Sequence, residues 1–236
     1  GTVNDQVVLI NQVTARRQSA QEDVGFVMWP SAVALSKWLI ANPNSVLGKS
    51  VVELGSGCGL TGLVAAGIQS NGGSTFSENS VTLTDFNPTV LENAQGNIYL
   101  NTLDHVATTS ELDFYKQSGK ANCWLDDKGE SREQVDVVLA ADMICQPEDS
   151  VAAANALHDT LKPGGTAFCV CADSKHRFGV DSFEEQCKRA GLAVETTNVA
   201  DMYGGDLLCE EGMNLTSGYV EGMTLTFFTI DKPLVR

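Results

Sequence analysis

Three acids and one run of glycines are the residues best placed to do chemistry. Val51-Val52-Glu53-Leu54 reads as a short strand, and Gly55-Ser56-Gly57-Cys58-Gly59 joins it to Leu60-Thr61-Gly62, the start of a helix. Glycines at alternate positions let the backbone take dihedrals closed to other residues and let a ligand approach closely. Two ligands compete for such a turn. Gly57-x-Gly59-x-x-Gly62 matches the dinucleotide fingerprint, with Asp85 at the end of the next strand as its ribose ligand. Against a diphosphate stand Glu53, two residues before Gly55, and the fact that Gly55 rather than Gly57 takes the first turn position. A ligand with a cationic amino-acid end suits Glu53 better. S-adenosylmethionine, whose ammonium and sulfonium are both positive, is such a ligand.

Asp85 closes the run Val81-Thr82-Leu83-Thr84, where its carboxylate can accept both ribose hydroxyl protons or, alternatively, form an Asx-type turn before Pro88. Leu112-Asp113-Phe114 ends a third strand; an adenine can lie between that ring and that acid, or the strand simply stops there. Asp142 follows the apolar run 135–141, beside the point where strand order reverses in open α/β sheets and ligands collect. There it can hold a cationic lysine and turn its nitrogen toward a methyl group, or cap the next helix. A lysine has a free pKa near ~10.4 and must lose its proton before it attacks, a loss that a neighbouring carboxylate opposes. Asp142 therefore reads as an aligning group and not as a strong base. Cys145 has no basic neighbour in sequence and reads as a buried thiol.

Composition narrows the setting. Fifteen basic against 30 acidic residues give a net charge of −15 over 236 residues, with eight acids in 126–149 and seven in 190–231. That balance argues against a broad nucleic-acid surface and suits either solubility or a protein substrate with a basic segment. Seven Cys, an odd number, form no paired framework and point to a reduced, intracellular, cytoplasmic chain. Three scattered His and no Cys-x-x-Cys pair leave no pattern for a metal site. Every apolar run falls short of the roughly 20 residues that cross a bilayer, and the first residues show no signal-peptide pattern.

The elements that must position these groups alternate in type. Residues 7–13 predict an edge strand, and Trp29-Pro30 a turn after which Ser31 caps a helix to about Ala41. On that helix Ala34, Leu35, Trp38 and Leu39 share one stripe. Then come a strand at 51–54, a helix at 60–68, a Gly/Ser/Asn-rich loop at 69–80 and a strand at 81–84. A helix at 88–100, with Pro88 in its first turn, precedes a strand at 106–112 and an insertion or lid at 115–134. The second half predicts a strand at 135–140, a helix at 148–161, a tight turn at Lys162-Pro163-Gly164-Gly165 and a buried strand at 166–171 holding Cys169 and Cys171. A helix at 182–189 ended by Gly191, and strands at 193–199 and 223–230, complete the chain. This alternation predicts a mainly parallel sheet covered on both faces. With no helical pattern between the last two strands, their pairing is expected to be antiparallel.

Taken together, the segments closely resemble one family. Trp29-Pro30, the Glu53-to-Gly59 loop, Thr84-Asp85-Phe86-Asn87-Pro88 with Asn93 beyond it, Leu112-Asp113-Phe114 and Ala140-Ala141-Asp142 look like the protein lysine methyltransferases of the methyltransferase-16 type, which act on non-histone proteins. The resemblance runs from Gly25 onward. It implies an α/β, Rossmann-like sheet of seven strands in the order 3-2-1-4-5-7-6, strand seven antiparallel, with helices on both faces. It also implies a single methyltransferase domain over 1–236, with 1–45 as an N-terminal extension and loop insertions near 69–80 and 115–134. For S-adenosyl-L-methionine it places Glu53, Gly55, Gly57 and Gly59 around the methionine part, Asp85 at the ribose and Asp113 and Phe114 at the adenine. Trp29 would lie on the cofactor's outer side, Ala141 beside it, and Asp142 would be catalytic. The family often shows Asp-x-x-Tyr where this chain reads Asp142-Met143-Ile144-Cys145, a departure that fits a different acceptor, a shifted tyrosine such as Tyr203 or Tyr219, or reduced activity.

The expected activity is direct, in-line methyl transfer to a lysine of a protein. A small-molecule methyltransferase closed over by 115–134 and a cofactor-binding partner without catalysis are the alternatives. A nicotinamide oxidoreductase would need a Ser/His/Asp, Cys/His or Lys-based set that the sequence does not supply. Asn/Asp-Pro-Pro-Tyr, the usual sign of amide and adenine methylation on this kind of fold, is absent after the fourth strand.

Overall fold

The computed structural model describes residues 7–12, 24–72, 80–115, 124, 131–203, 216–220 and 222–234. In chain order the elements are α1 (Pro30–Ala41), β1 (Val51–Leu54), α2 (Leu60–Asn71), β2 (Val81–Asp85), α3 (Pro88–Leu100), β3 (Ala107–Glu111) and β4 (Val135–Ala141). They continue with α4 (Pro147–Thr160), β5 (Leu161–Ala172), α5 (Val180–Arg189), β6 (Ala193–Asn198), α6 (Val199–Tyr203) and β7 (Leu225–Asp231). The seven strands run in the order β3-β2-β1-β4-β5-β7-β6, as expected. β1 to β5 pair in parallel, and β7 is antiparallel to both β5 and β6.

Successive strand side chains point to opposite faces, and the apolar runs are long enough to fill both. Val51, Val81, Leu83, Val137, Leu139 and Val170 pack under α1, α2 and α3. Their neighbours Val52, Leu54, Val138, Ala140, Cys169 and Cys171 pack against α4 and α5. The predicted stripe of α1 is buried on the sheet, where the Trp38 ring sits 4.5 Å from Phe168 and 4.9 Å from Phe227. Among the described residues no helix is long and apolar enough to cross a membrane.

Five local readings change. Residues 7–12 form no strand; they lie along α3, where Asn93, Asn97 and Asn101 hydrogen-bond the backbone of Leu9 and Asn11. These amides recur every four residues on one helix face and take the place of a neighbouring strand. Ser31 does not cap α1, because the helix begins at Pro30 with Trp29 in the cap position. Lys162-Pro163-Gly164-Gly165 lies within β5 as an irregularity: Val135 pairs with Leu161 and Val137 already with Thr166, so the intervening residues bow out. Finally, α2 runs on to Asn71 and the short α6 follows β6, so the loop reading of 69–71 and the missing helix before β7 are both revised. Residues 73–79, most of 115–134 and residue 13 fall outside the described residues.

Candidate active site

The glycine turn is held open by its own backbone. Gly55, Gly57 and Gly59 have φ of 61°, 52° and 84°, the left-handed region that favours glycine. Ser56 N donates to Thr84 O at 2.7 Å, and Gly59 N to Ser56 O at 2.8 Å. Buried Asn97 donates from Nδ2 to Cys58 O at 2.9 Å, so α3 pins the far side of the turn. A Cβ on Gly59 would lie 2.5 Å from Leu83 Cδ2, in addition to the cost of its dihedral. Gly59→Ala is expected to destabilise the protein by about 2 kcal/mol in chemical denaturation.

Glu53 ends its strand inside the protein, 2% exposed. Its Oε2 accepts from Gly62 N at 2.9 Å, while the Thr61 hydroxyl stands close without a well-formed bond. Burial pushes its pKa up to about 8, against the Gly62 N–H and Thr61, which favour ionisation, and with Asp85 adding repulsion. Gly62 is required for this approach, since a Cβ there would meet Glu53 Oε2 at 2.6 Å. Asp85 spends one oxygen on each side of the site: Oδ2 accepts from Gly57 N and Oδ1 from Asn87 N, both at 3.1 Å. Burial raises its pKa, and these N–H groups oppose the rise.

Beyond β3, Asp113 Oδ1 accepts from Tyr115 N at 2.9 Å, so Asp113, Phe114 and Tyr115 form one tight turn. The Tyr115 hydroxyl bonds the carboxylate of Asp149 on α4, and Asp149 Oδ2 also accepts from Cys145 N at 2.7 Å and Gln146 N at 2.8 Å. Gln146 and Asp149 make the capping box of α4, so Asp142 is not the helix cap.

Asp142 sits at a left-handed kink, φ 54°, with its side chain only 1% exposed. Arg177, from the loop after β5, meets it: Nη2 donates to Oδ2 at 3.3 Å, and Nε stands 3.2 Å from Oδ1 without hydrogen-bond alignment. Ala172 N donates to Oδ1 at 3.3 Å, and the Ser31 hydroxyl lies nearby without a formed bond. Burial raises the pKa of Asp142 and Arg177 opposes the rise. The Arg177 guanidinium also lies 4.9 Å from the centre of the Trp29 ring, whose Nε1 donates to Val24 O at 3.0 Å. Gly218 packs so closely on that ring that a Cβ would come within 2.3 Å of it.

These parts surround one cavity of about 890 Å³. Its wall brings together every residue expected at the site: Trp29, Glu53, Gly55, Gly57, Asp85, Asp113, Phe114, Ala141 and Asp142, all except Gly59, which supports the turn from behind. Cys145 lines the cavity and is exposed, contrary to the buried reading, yet partial desolvation against the cavity wall raises its pKa and disfavours a reactive thiolate. Tyr219 is exposed away from the cavity, and the side chain of Tyr203 is outside the description. Among the described residues the tyrosine that lines the site is Tyr115. It and Arg177 escaped the sequence reading because their partners lie 34 and 35 residues away.

Among the described residues, five carboxylates line the cavity (Glu53, Asp85, Asp113, Asp142 and Asp149) and no Lys, Arg or His does. A diphosphate would find no positive side chain on that lining and several carboxylates. A ligand with a cationic amino-acid end fits: Glu53 is a buried acid bonded by neutral groups alone, and the volume suits a nucleoside-sized molecule.

The comparisons agree with this geometry. The model of a family described as lysine methyltransferase matches residues 10–188. The human protein-lysine N-methyltransferase EEF2KMT is 36% identical over 127 residues, covering 52% of this chain and 36% of that protein. The human electron transfer flavoprotein beta subunit lysine methyltransferase is 54% identical over 39 residues, 16% of this chain and 15% of that protein. The matched stretches span between 24% and 36% of the length of the first three curated relatives. Among solved structures, the cyclase SpnF superposes with a TM-score of 0.58 at 16% identity, over 86% of this chain and 82% of that one, a likeness of fold alone. The family implies S-adenosylmethionine as cofactor, and the acids and glycines of the cavity fit it. By a family match that covers most of its length, on a sheet of the expected order, the chain belongs to the lysine methyltransferase family.

Proposed function

We propose that the chain is an S-adenosylmethionine-dependent N-methyltransferase that modifies a lysine of a non-histone protein by direct, in-line transfer. The observation that carries this reading is the wall of a single cavity that joins the glycine turn to the end of β4, where among the described residues five carboxylates and no Lys, Arg or His are found. S-adenosylmethionine supplies the electrophilic methyl group when bound. Glu53 would receive its ammonium, Gly55 and Gly57 let the backbone come close, Asp85 would accept the ribose hydroxyls, and Asp113 and Phe114 would flank the adenine. Trp29 and Ala141 would close the sides. A protein substrate with a basic segment is consistent with the net charge of −15.

The acceptor end would be shaped by Asp142. Its carboxylate is already paired with Arg177, so the pair adds little net charge beside an incoming lysine. An unpaired carboxylate would hold that lysine as an ammonium; the paired one aligns the wall without opposing proton loss to water. The kinked backbone at Asp142 and the Met143 and Cys145 side chains then define where the nitrogen stands.

A labelled-methyl transfer assay on cell extract, followed by mass spectrometry of the modified residue, tests the proposal. Label on a protein lysine is the expected result. Label confined to small molecules would replace the protein substrate with a metabolite, and no label from a protein that binds the cofactor would leave a non-catalytic partner. With the target in hand, Asp142→Ala is expected to keep cofactor affinity within about twofold and to lower turnover about a hundredfold, the cost of a misplaced acceptor wall. Unchanged turnover removes Asp142 from the mechanism.

A further inference from the structure

We propose that the Tyr115–Asp149 hydrogen bond is a tie across the mouth of the cavity that holds the Asp113–Phe114 turn over the adenine half of the site, making Tyr115 a positioning residue. The inference rests on the reading of this cavity as an S-adenosylmethionine site.

Tyr115 follows β3 and Asp149 belongs to the helix that follows β4, yet in the sheet these strands are separated by β2 and β1. Three strand spacings place their ends roughly 14 Å apart. The side chains that meet therefore span the ends of β1 and β2, where Glu53 and Asp85 lie, and both line the cavity. The two anchors differ in firmness. Asp149 is 9% exposed and fixed by Cys145 N and Gln146 N at the first turn of α4. Tyr115 is 44% exposed, its ring 6.2 Å from that of Phe114, and its hydroxyl bond is the contact that ties it to the far side of the cavity. Its backbone N–H is bonded by Asp113, so fixing the tyrosine fixes the acid and the ring before it. A phenol donating to a carboxylate is a charge-assisted bond, strong enough to set the position of a short turn. Below the turn, Leu112 N donates to Asp85 O at 3.0 Å, which anchors only its base.

The test uses the whole chain with S-adenosylmethionine and adenosine as probes, in calorimetry and stopped-flow fluorescence. Tyr115→Phe keeps the ring and removes only the hydroxyl. Both probes are expected to dissociate about tenfold faster from this variant, the worth of one charge-assisted bond, while the thermal midpoint falls by no more than about 5 °C. In an Asp149→Asn background, which keeps a capping side chain on α4, the Tyr115→Phe change should cost less, because the two groups act as a pair. Dissociation at the wild-type rate overturns the tie, and so do fully additive losses in the double variant. Failure of the wild-type protein to bind either probe overturns the cofactor reading instead, an outcome distinct from equal binding by wild type and variant.

Discussion

Glu53→Gln is expected to make the cofactor-free protein more stable and its hold on S-adenosylmethionine much weaker. Burial raises the pKa of Glu53 from 4.5 to about 8, so between those values the folded chain carries a proton that the unfolded chain has lost. For an acid shifted upward the sign is fixed: stability is full below the unfolded pKa and falls as pH rises through the folded one. Between pH 5 and pH 8 that loss amounts to roughly 4 kcal/mol, at about 1.4 kcal/mol for each pH unit. Glutamine keeps an acceptor for Gly62 N–H and never ionises, so its denaturation midpoint should fall less over this range, buried Asp85 and Asp142 still contributing, and exceed wild type by on the order of 10 °C near pH 8. Binding runs the other way. A cationic ligand needs the ionised acid, so wild-type affinity should rise up to tenfold per pH unit from pH 6 toward 8, with proton release visible as a binding enthalpy that depends on the buffer. The variant should bind at least a hundredfold more weakly, without that slope. Wild-type affinity that is level across this range would show that no cation sits on Glu53.

Asp85→Ala is expected to weaken S-adenosylmethionine at least a hundredfold in calorimetry, from two lost charged hydrogen bonds of about 1.5 kcal/mol each. A second effect adds to this. Because Asp85 holds both Gly57 N and Asn87 N, alanine leaves the glycine turn and the entry to α3 without their shared acceptor. Asp85→Asn, which keeps one carbonyl oxygen, separates the two contributions and should cost about tenfold. Equal affinity in wild type and Asp85→Ala would remove Asp85 from the ribose site.

What could be read from the sequence was local, and what could not was distant. The turn after β1, the acid closing β2 and the Pro88 start of α3 announce themselves within a few residues, because glycine dihedrals and helix entry are short-range demands. Alternating apolar runs gave a mainly parallel sheet covered on both faces, and the strand order came from the family likeness alone. Lys162-Pro163-Gly164-Gly165 carries the same residues whether the chain turns or bows within a strand, and only the pairing of β4 with β5 decides between them. Val199–Tyr203 is too short for periodicity to mark. In the site, Asp142 was legible as an acid at a strand end, but Arg177 was not visible as its partner. Nothing in Asp142-Met143-Ile144-Cys145 announces that a tyrosine from the loop after β3 comes to the same wall.

The ring of Trp29 has a consequence for how such a chain diversifies. The groups proposed to grip the cofactor all come from residues before position 150, while Arg177 and Gly218 arrive from the later part and meet the earlier one on the indole. The later part meets this wall both on the indole and at Asp142, through Arg177 and the N–H of Ala172. Substitutions around Arg177 and 216–220 leave those earlier residues untouched, so the later part can vary without altering them, provided that the fit of Gly218 on the indole is preserved.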